Sequence, residues 1–406
     1  MDGVRLDSLT YGGRINLIVT DRDVCTPPHL PLPSKGGEIR RFFAGVGWIC
    51  RSLFGIASLI LFLAVVSAIP IVSFFALGYL LEVEGRVARS GKFRDAFPLI
   101  DVAPRWGSIV LGIWLCVFPL RLLTNAAADA RIIDPGSPAD RRLHAIVAFL
   151  AVIVSIHICL ALARGGSLGC FFRPIKNIRW LLARWRSGDY WSHAESACGQ
   201  FLLSLRIRHH FWLGVRGYVG AMLWLVIPTA LFAFAKKTEG GPILVTIFGG
   251  FLLMFVLNWI PFLQAHFAAE QRFGAMFELR KIRQLYKHAP FSWMITLLVT
   301  FTLALPLYLF KVVLPPRDAL WLVTLVFIIS IYPSKVISGW AYHRAVTRPE
   351  KVFFLWRGFA SLVIGLLIAL YVFLLFFTQF IGEQGKLVLF EHHAFLLPIF
   401  DFRLPI

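Results

Sequence analysis

Eight long stretches of the sequence contain no Asp, Glu, Lys or Arg, and they limit the possible folds more than any other feature. A helix needs roughly 20 consecutive apolar residues to cross a bilayer, and several of the stretches reach that length. Backbone polar groups in lipid must be satisfied within the segment, so such segments are helical. The stretches are 52–81, 106–120, 143–163, 217–235, 240–269, 289–310, 319–334 and 358–382. The sequence therefore predicts an all-α, polytopic transmembrane helix bundle.

The composition agrees with this class. Hydrophobic residues make up 58% of the chain. Charged residues make up 16%, compared with about 25% in soluble domains. The formal net charge of +19 could indicate nucleic acid as a partner, but no nucleic-acid-binding motif accompanies it. In a membrane chain such a charge indicates contact with anionic headgroups on the cytoplasmic side and control of topology. The sequence identifies no protein partner.

The polar ends of the chain lie outside the predicted membrane domain, which covers 42–382. Residues 1–41 are basic and proline-rich, with four prolines in 22–37, and this composition predicts a disordered tail. The N-terminus lacks the continuous apolar core of a signal peptide. Residues 383–406 form a short C-terminal tail.

The distribution of basic residues predicts how the chain threads the membrane. If all eight stretches cross, the 41 lysine and arginine residues divide 17 to 24 between the two sides. If 52–81 instead enters and leaves on one side, 31 lie on that side and ten on the other. Because cytoplasmic loops carry an excess of lysine and arginine, the second arrangement is preferred. It predicts about seven crossings of the inner (cytoplasmic) membrane plus one re-entrant segment.

Pro70 supplies a physical reason for re-entry. Stretch 52–81 is too long for one level crossing and too short for two. Proline removes a backbone donor and disfavours helix at the residue before it. Two half-helices meeting near 68–70 could therefore enter the bilayer and return. The alternative is one tilted span with a kink at the proline.

The basic loop 164–216 contains an amphipathic segment. Residues 171–186 place aromatic and aliphatic side chains on one face of a helical wheel, and Gly188 ends the run. Such a helix would lie along the cytoplasmic interface. Its expected headgroup contacts are Arg173, Lys176, Arg184 and Arg186. The alternative is the solvated face of a cytosolic cap.

Two regions resemble a known family. The segment IPIVSFFALGYLLEVEGRVARSGKF is followed by RWGSIVLGIWLCVFPL, and Gly78, Tyr79, Arg86, Gly91 and Pro119 occupy its characteristic places. This pattern is similar to a prokaryotic family of multi-pass membrane proteins labelled only as a domain of unknown function. The resemblance covers roughly 50–125 and 255–310. It implies a multi-pass membrane protein and brings no known activity, ligand or catalytic residue.

Ionisable groups give little sign of catalysis. No carboxylate lies inside any of the eight stretches, whereas intramembrane catalysis and ion-coupled transport commonly use one. His157 lies inside a stretch and could relay a proton, but a structural hydrogen bond to a neighbouring helix is the expected role. The six cysteines form no CxxC pair, so neither a zinc site nor a disulfide framework is predicted. We expect no metal, no cofactor and no enzymatic activity.

Charged residues at the ends of two stretches have simpler expected roles. Glu82 and Glu84 follow the first stretch beside Arg86 and Arg89, where a surface ion network is expected. Lys335 follows the short stretch 319–334, and we expect it to extend toward the interface and lengthen the span.

Helix-breaking and polar positions at membrane depth are the remaining site candidates. Asn258 precedes Pro261, and this combination occurs where broken helices line a cavity. With Pro70 and His157 they form the set of possible cavity or hinge positions. The alternative for Asn258 and Pro261 is a packing kink. Two functions stay open: a non-catalytic membrane component with a basic cytoplasmic face, or a permease or channel for a small or amphiphilic solute.

Overall fold

The computed structural model describes residues 38–69, 71–188, 190–234, 240–312, 320–381 and 389. Within these ranges all regular structure is helical. Eight helical segments are long and apolar enough to cross a membrane, and each overlaps one of the eight charge-free stretches. The predicted all-α, polytopic bundle is therefore confirmed.

The helices differ widely in length, and short 3-10 turns at Phe93–Ala96 and Phe273–Phe277 separate some of them. In chain order they are α1 (Glu38–Ser67), α2 (Ser73–Ser90), α3 (Ala103–Ile133), α4 (Pro138–Ala163), α5 (Leu168–Phe171), α6 (Pro174–Ser187), α7 (Tyr190–Ser204), α8 (Ile207–Phe232), α9 (Gly240–Glu270), α10 (Leu279–Tyr286), α11 (Pro290–Val312), α12 (Leu320–Thr347) and α13 (Phe354–Ile381).

The chain forms two packing units. Of the described residues, the smaller unit contains Leu111–Ala197, and the larger contains those from 38 to 110 and from 198 onward. In the smaller unit α4, α5 and α6 pack together. Ser137 caps α4 by accepting a hydrogen bond from the backbone N–H of Asp140 at 3.1 Å.

In the larger unit α2 is the central element. It packs against α1, α8, α9 and α12, while α11 packs against α12 and α13. Gly91, in the left-handed conformation with φ 70°, ends α2. Tyr79 on α2 contacts Tyr332, whose hydroxyl donates to the Ala96 carbonyl at 2.7 Å. These contacts fix the 3-10 turn after α2 against the bundle.

The break between α1 and α2 lies where the sequence predicted it, although the two helices are unequal. Pro70 lies outside the described residues; Ile71, next to it, has a φ of 68°. The Phe62 and Phe75 rings lie 6.1 Å apart, so the chain bends sharply rather than continuing as one straight span. However, α1 is a 30-residue helix and not a half-helix. Which side of the membrane each end faces stays a prediction.

Two predicted boundaries also change. The predicted tail 1–41 overlaps the beginning of α1 at Glu38, and the rest of it lies outside the described residues. The predicted helix 171–186 is present as α6, which begins at Pro174 because proline favours the first helical turn. Gly188 ends it with a φ of 74°, as expected. The predicted tail 383–406 lies outside the described residues except for Leu389.

Candidate functional site

Glycines let α2 approach its neighbours closely enough to occupy the centre of the larger unit. A Cβ added at Gly78 would clash with the His210 carbonyl on α8, and one at Gly214 would clash with the Phe74 carbonyl. On the α12 side, a Cβ at Gly339 would meet the Glu84 carbonyl. Small residues at a helix interface bring backbones together in this way. The close approach carries the polar C-terminal half of α2 into the interior.

Glu84, Gln264 and Lys335 form a buried polar cluster joining α2, α9 and α12. The Lys335 ammonium donates to Glu84 Oε2 at 2.9 Å and to Gln264 Oε1 at 2.7 Å. Glu84 is 0% exposed and Lys335 is 5% exposed. Complete burial raises the pKa of the Glu84 carboxyl, and the Lys335 ammonium acts against that shift. The two charges are compensated inside the bundle.

A small cavity adjoins this cluster. Its volume is about 40 Å³, enough for one or two water molecules. The Gln264 amide nitrogen is buried and has no hydrogen-bond partner among the described residues. Because Lys335 fixes the amide oxygen, that nitrogen is available to another acceptor. The lining residues are Leu257, Ile260, Pro261, Gln264, Thr300, Phe301, Ile331, Ser334, Lys335 and Ser338.

This arrangement corrects two expectations. Lys335 does not extend to the interface, because α12 continues to Thr347 and places Lys335 near its middle, beside Glu84. Glu84 is not part of a surface network, because the glycine contacts bury it. The length of a charge-free stretch underestimates the length of a buried helix when the helix contains a charged residue whose charge is offset by an ion pair.

Glu82 is the centre of a second polar network, which contains the expected Arg86 and Arg89, although Glu82 is 6% exposed and not at the surface as predicted. It contacts Arg86 at 2.9 Å and Arg89 at 3.8 Å. It also contacts His209 at 3.3 Å and accepts from Gln271 at 3.0 Å. Burial would raise the pKa of the Glu82 carboxyl, but the hydrogen bonds from Arg86 and His209 outweigh it, and the pKa is lowered. Glu82 therefore links α2 with α8 and the end of α9.

His266 is a buried histidine whose hydrogen-bond partners could not be predicted from the sequence. It is 0% exposed, with Nδ1 2.8 Å from the Tyr342 hydroxyl and Nε2 2.9 Å from Glu278 Oε2. Hydrogen bonding to His266 lowers the pKa of the Glu278 carboxyl, and Arg272 acts in the same direction. Glu278 reaches the histidine from the segment after α9, outside every charge-free stretch. The arrangement orients the imidazole and fixes that segment against α12.

The predicted cavity and hinge positions separate in the structure. Pro261 lines the cavity, whereas Asn258 is half-buried and does not line it. Pro261 lies inside a continuous α9, so the predicted break in this helix is absent. His157 lies in the smaller unit, where Nε2 is 2.8 Å from the Phe171 carbonyl oxygen, the kind of partner expected for a structural histidine. Pro70 lies outside the described residues.

The predicted headgroup contacts lie on or beside α6. Arg173 immediately precedes the helix, and Arg173, Lys176 and Arg186 are exposed, while Arg184 is half-buried. The apolar side is also exposed, at Ile175, Ile178, Leu182 and Trp185. Trp180 and Asn177 are buried, and Asn177 accepts from Arg164 at 3.0 Å. The helix is therefore amphipathic and is attached to its unit along a narrow stripe.

One cysteine, Cys170, is in a different state from the one predicted. Cys170 is disulfide-bonded and fully buried, although the cysteine spacing predicted no disulfide framework. Spacing along the chain does not indicate which cysteines the fold brings together.

Comparison with known proteins finds no match to a family model, to a characterised protein or to a solved structure.

Proposed function

We propose that this integral membrane protein is a non-catalytic component of the inner membrane that holds its basic cytoplasmic face against anionic lipid headgroups. The observation that carries the proposal is α6. Its apolar side chains Ile178, Leu182 and Trp185 are exposed, and cations border them. Helices of this kind lie in the bilayer interface, with the apolar face among the acyl chains.

The charge distribution supports the same function. Under the predicted topology 31 of the 41 lysine and arginine residues belong to the segments on the cytoplasmic side, and of these Lys335 is buried in the bundle. Each basic side chain near an anionic surface contributes about 1 kcal/mol of attraction. A face with many such side chains binds the inner leaflet without a catalytic centre.

Hydrogen exchange of the full-length protein in nanodiscs tests the proposal. We expect the amides of α6 to exchange more slowly in discs that contain phosphatidylglycerol than in discs of phosphatidylcholine alone. Replacing Arg173, Lys176, Arg184 and Arg186 by Gln should abolish this difference. A control that replaces Arg280 and Arg283 on α10 by Gln should leave the difference unchanged. Equal exchange of α6 in both lipids would reject the proposal.

The cavity beside Lys335 favours a second candidate, a permease or channel for a small solute. A buried amide and ion pair at a cavity lined by Pro261 resemble a polar solute path in a closed state. Proteoliposomes exposed to a urea or glycerol gradient test this by light scattering. Protein-dependent swelling that Ser338→Leu slows, in a variant of unchanged melting temperature, would support the candidate. Swelling equal to that of empty vesicles would exclude these solutes.

A further inference from the structure

A basic groove lies at the beginning of α8 in the larger unit. Its volume is about 580 Å³. Three arginines, a histidine and four apolar side chains line it. These residues are Leu202, Leu203, Arg206, Ile207, Arg208, His209, Trp212 and Arg216. They are distinct from those of α6, so the groove is a second site; it rests on the proposed contact with anionic lipid, and variants in the groove test it separately from α6.

The arginines are arranged to act together. Arg208, Trp212 and Arg216 follow one another at intervals of four residues, which places them along one face of α8. Arg206 precedes the helix with a φ of 46°, a backbone conformation that is uncommon for residues other than glycine or asparagine. The groove therefore presents guanidinium groups from the loop and from successive turns of the helix.

No carboxylate within the described part of the chain pairs with Arg206, Arg208 or Arg216. The Arg216 Nε donates to the Trp212 carbonyl oxygen at 3.3 Å. Glu82 contacts the groove only through His209, and Arg86 and Arg89 share its carboxylate. Arg206 and Arg208 are exposed and Arg216 is half-buried, so these guanidinium groups are open to an anion from outside the described part of the chain.

The groove also has an apolar side that faces outward. Leu203 is 79% exposed, Trp212 is 52% exposed and Ile207 is 45% exposed. Arg216 lies about two and a half turns into α8, inside the candidate span Leu202–Phe232. A guanidinium at such a position is costly unless it is paired or reaches the interface. A ligand with an anionic head and apolar chains satisfies both sides of the groove.

We propose that this groove binds the phosphate of an anionic phospholipid, with the guanidinium groups of Arg206, Arg208 and Arg216 on the phosphate oxygens. Planar guanidinium groups bind phosphate through paired N–H donors. The lipid chains lie against Leu203, Ile207 and Trp212. The apolar side distinguishes a lipid from a soluble phosphate, which has no group to place there.

Native mass spectrometry of the full-length protein in detergent, titrated with phosphatidylglycerol or phosphatidylcholine of identical chains, tests the proposal. We expect tighter binding of phosphatidylglycerol. The double variant Arg208→Gln with Arg216→Gln should lower that affinity about 30-fold, since two headgroup contacts are lost. Trp212→Ala should weaken binding of both lipids. The control, Arg280→Gln with Arg283→Gln, should bind as the parent does.

Three outcomes would overturn the proposal. Equal affinity for the two lipids would exclude recognition of the anionic headgroup. An equal loss in the α10 control would assign the effect to overall charge. Displacement of phosphatidylglycerol by glycerol phosphate at the same concentration would identify a soluble phosphate as the ligand. If the double variant does not fold, Arg208→Gln alone, at the exposed first turn, is compared with Arg280→Gln.

Discussion

Glu84 and Lys335 illustrate how charged side chains are accommodated inside an apolar bundle. Each loses its hydration when it is buried, and the mutual attraction at 2.9 Å with the bond to Gln264 offsets that loss. The pair connects α2 to α12, and the hydrogen bond from Lys335 to Gln264 connects α12 to α9. Removing one partner leaves the other charge buried and unpaired, whereas removing both leaves only a change of packing.

The first prediction concerns this ion pair. Lys335→Met should destabilise the protein by about 3–5 kcal/mol, because Glu84 then remains buried without its partner. The double variant with Glu84→Gln should recover much of that loss. Thermal unfolding of the purified protein in detergent measures both effects. Lys281→Met is the control, since Lys281 is 45% exposed and its carboxylate partners are 3.5 and 3.7 Å away. An equal effect of the two lysine substitutions would contradict the prediction.

At the level of elements, α2 is central because it carries glycines at the points where its neighbours are closest. Gly78 faces the backbone of α8, and Gly85 faces the Ala268 carbonyl on α9. The Arg89 guanidinium donates to the Ala268 and Ala269 carbonyls at 3.0 and 3.1 Å, near the end of α9. Close packing in the middle and polar contacts at the end therefore hold α2 against α8 and α9.

The second prediction tests the close approach of α2 and α8. Gly78→Ala should destabilise the protein by about 1–3 kcal/mol or more, because the added methyl group meets a backbone carbonyl that cannot rotate away. The shift in melting temperature measures the effect. Gly365→Ala on α13 is the matched control, because nothing lies within 4 Å of the added Cβ. Alanine should leave the control unchanged or slightly stabilised. Equal melting temperatures for the two variants would argue against the packing.

At the level of the whole molecule, the bend between the long helix α1 and the shorter helix α2 bears on the membrane topology. α1 is long enough to cross a bilayer, and α2 bends back beside it with buried carboxylates in its second half. The bend is compatible with the charge distribution, in which the segments before α1 and after α2 are both basic. The positive-inside rule therefore predicts that both segments lie on the cytoplasmic side.

The third prediction is that residues 45 and 95 lie on the same, cytoplasmic side of the membrane. Cysteines introduced at Gly45 and Asp95 should react with an impermeant maleimide in inverted vesicles and not in spheroplasts, each measured as the excess over the parent chain. A cysteine at Asp134, between α3 and α4, should show the reverse pattern, because α3 crosses the membrane after residue 95 in the re-entrant arrangement. Opposite accessibilities at 45 and 95 would show that the segment crosses instead.

The fold class, the positions of the spanning segments and the amphipathic character of α6 could be predicted from the sequence alone. These features follow from local properties: absence of charge over a helix length, proline and glycine at helix ends, and residue spacing around a helix. The same properties placed the break after α1 correctly. Local patterns do not specify which helices touch, so they could not show that Gly78 and Gly214 permit contact between two backbones.

Which polar residues meet could not be predicted, because it depends on how the helices pack. Glu84 and Lys335 are 251 positions apart in the chain, and each alone looked like the charged end of an apolar stretch. Glu278 lay outside every stretch, yet it reaches the buried His266. The basic groove depends on a bend at Arg206 that places arginines from the loop and from α8 side by side. Charge compensation depends on distances in space, and helix packing sets those distances independently of separation along the chain.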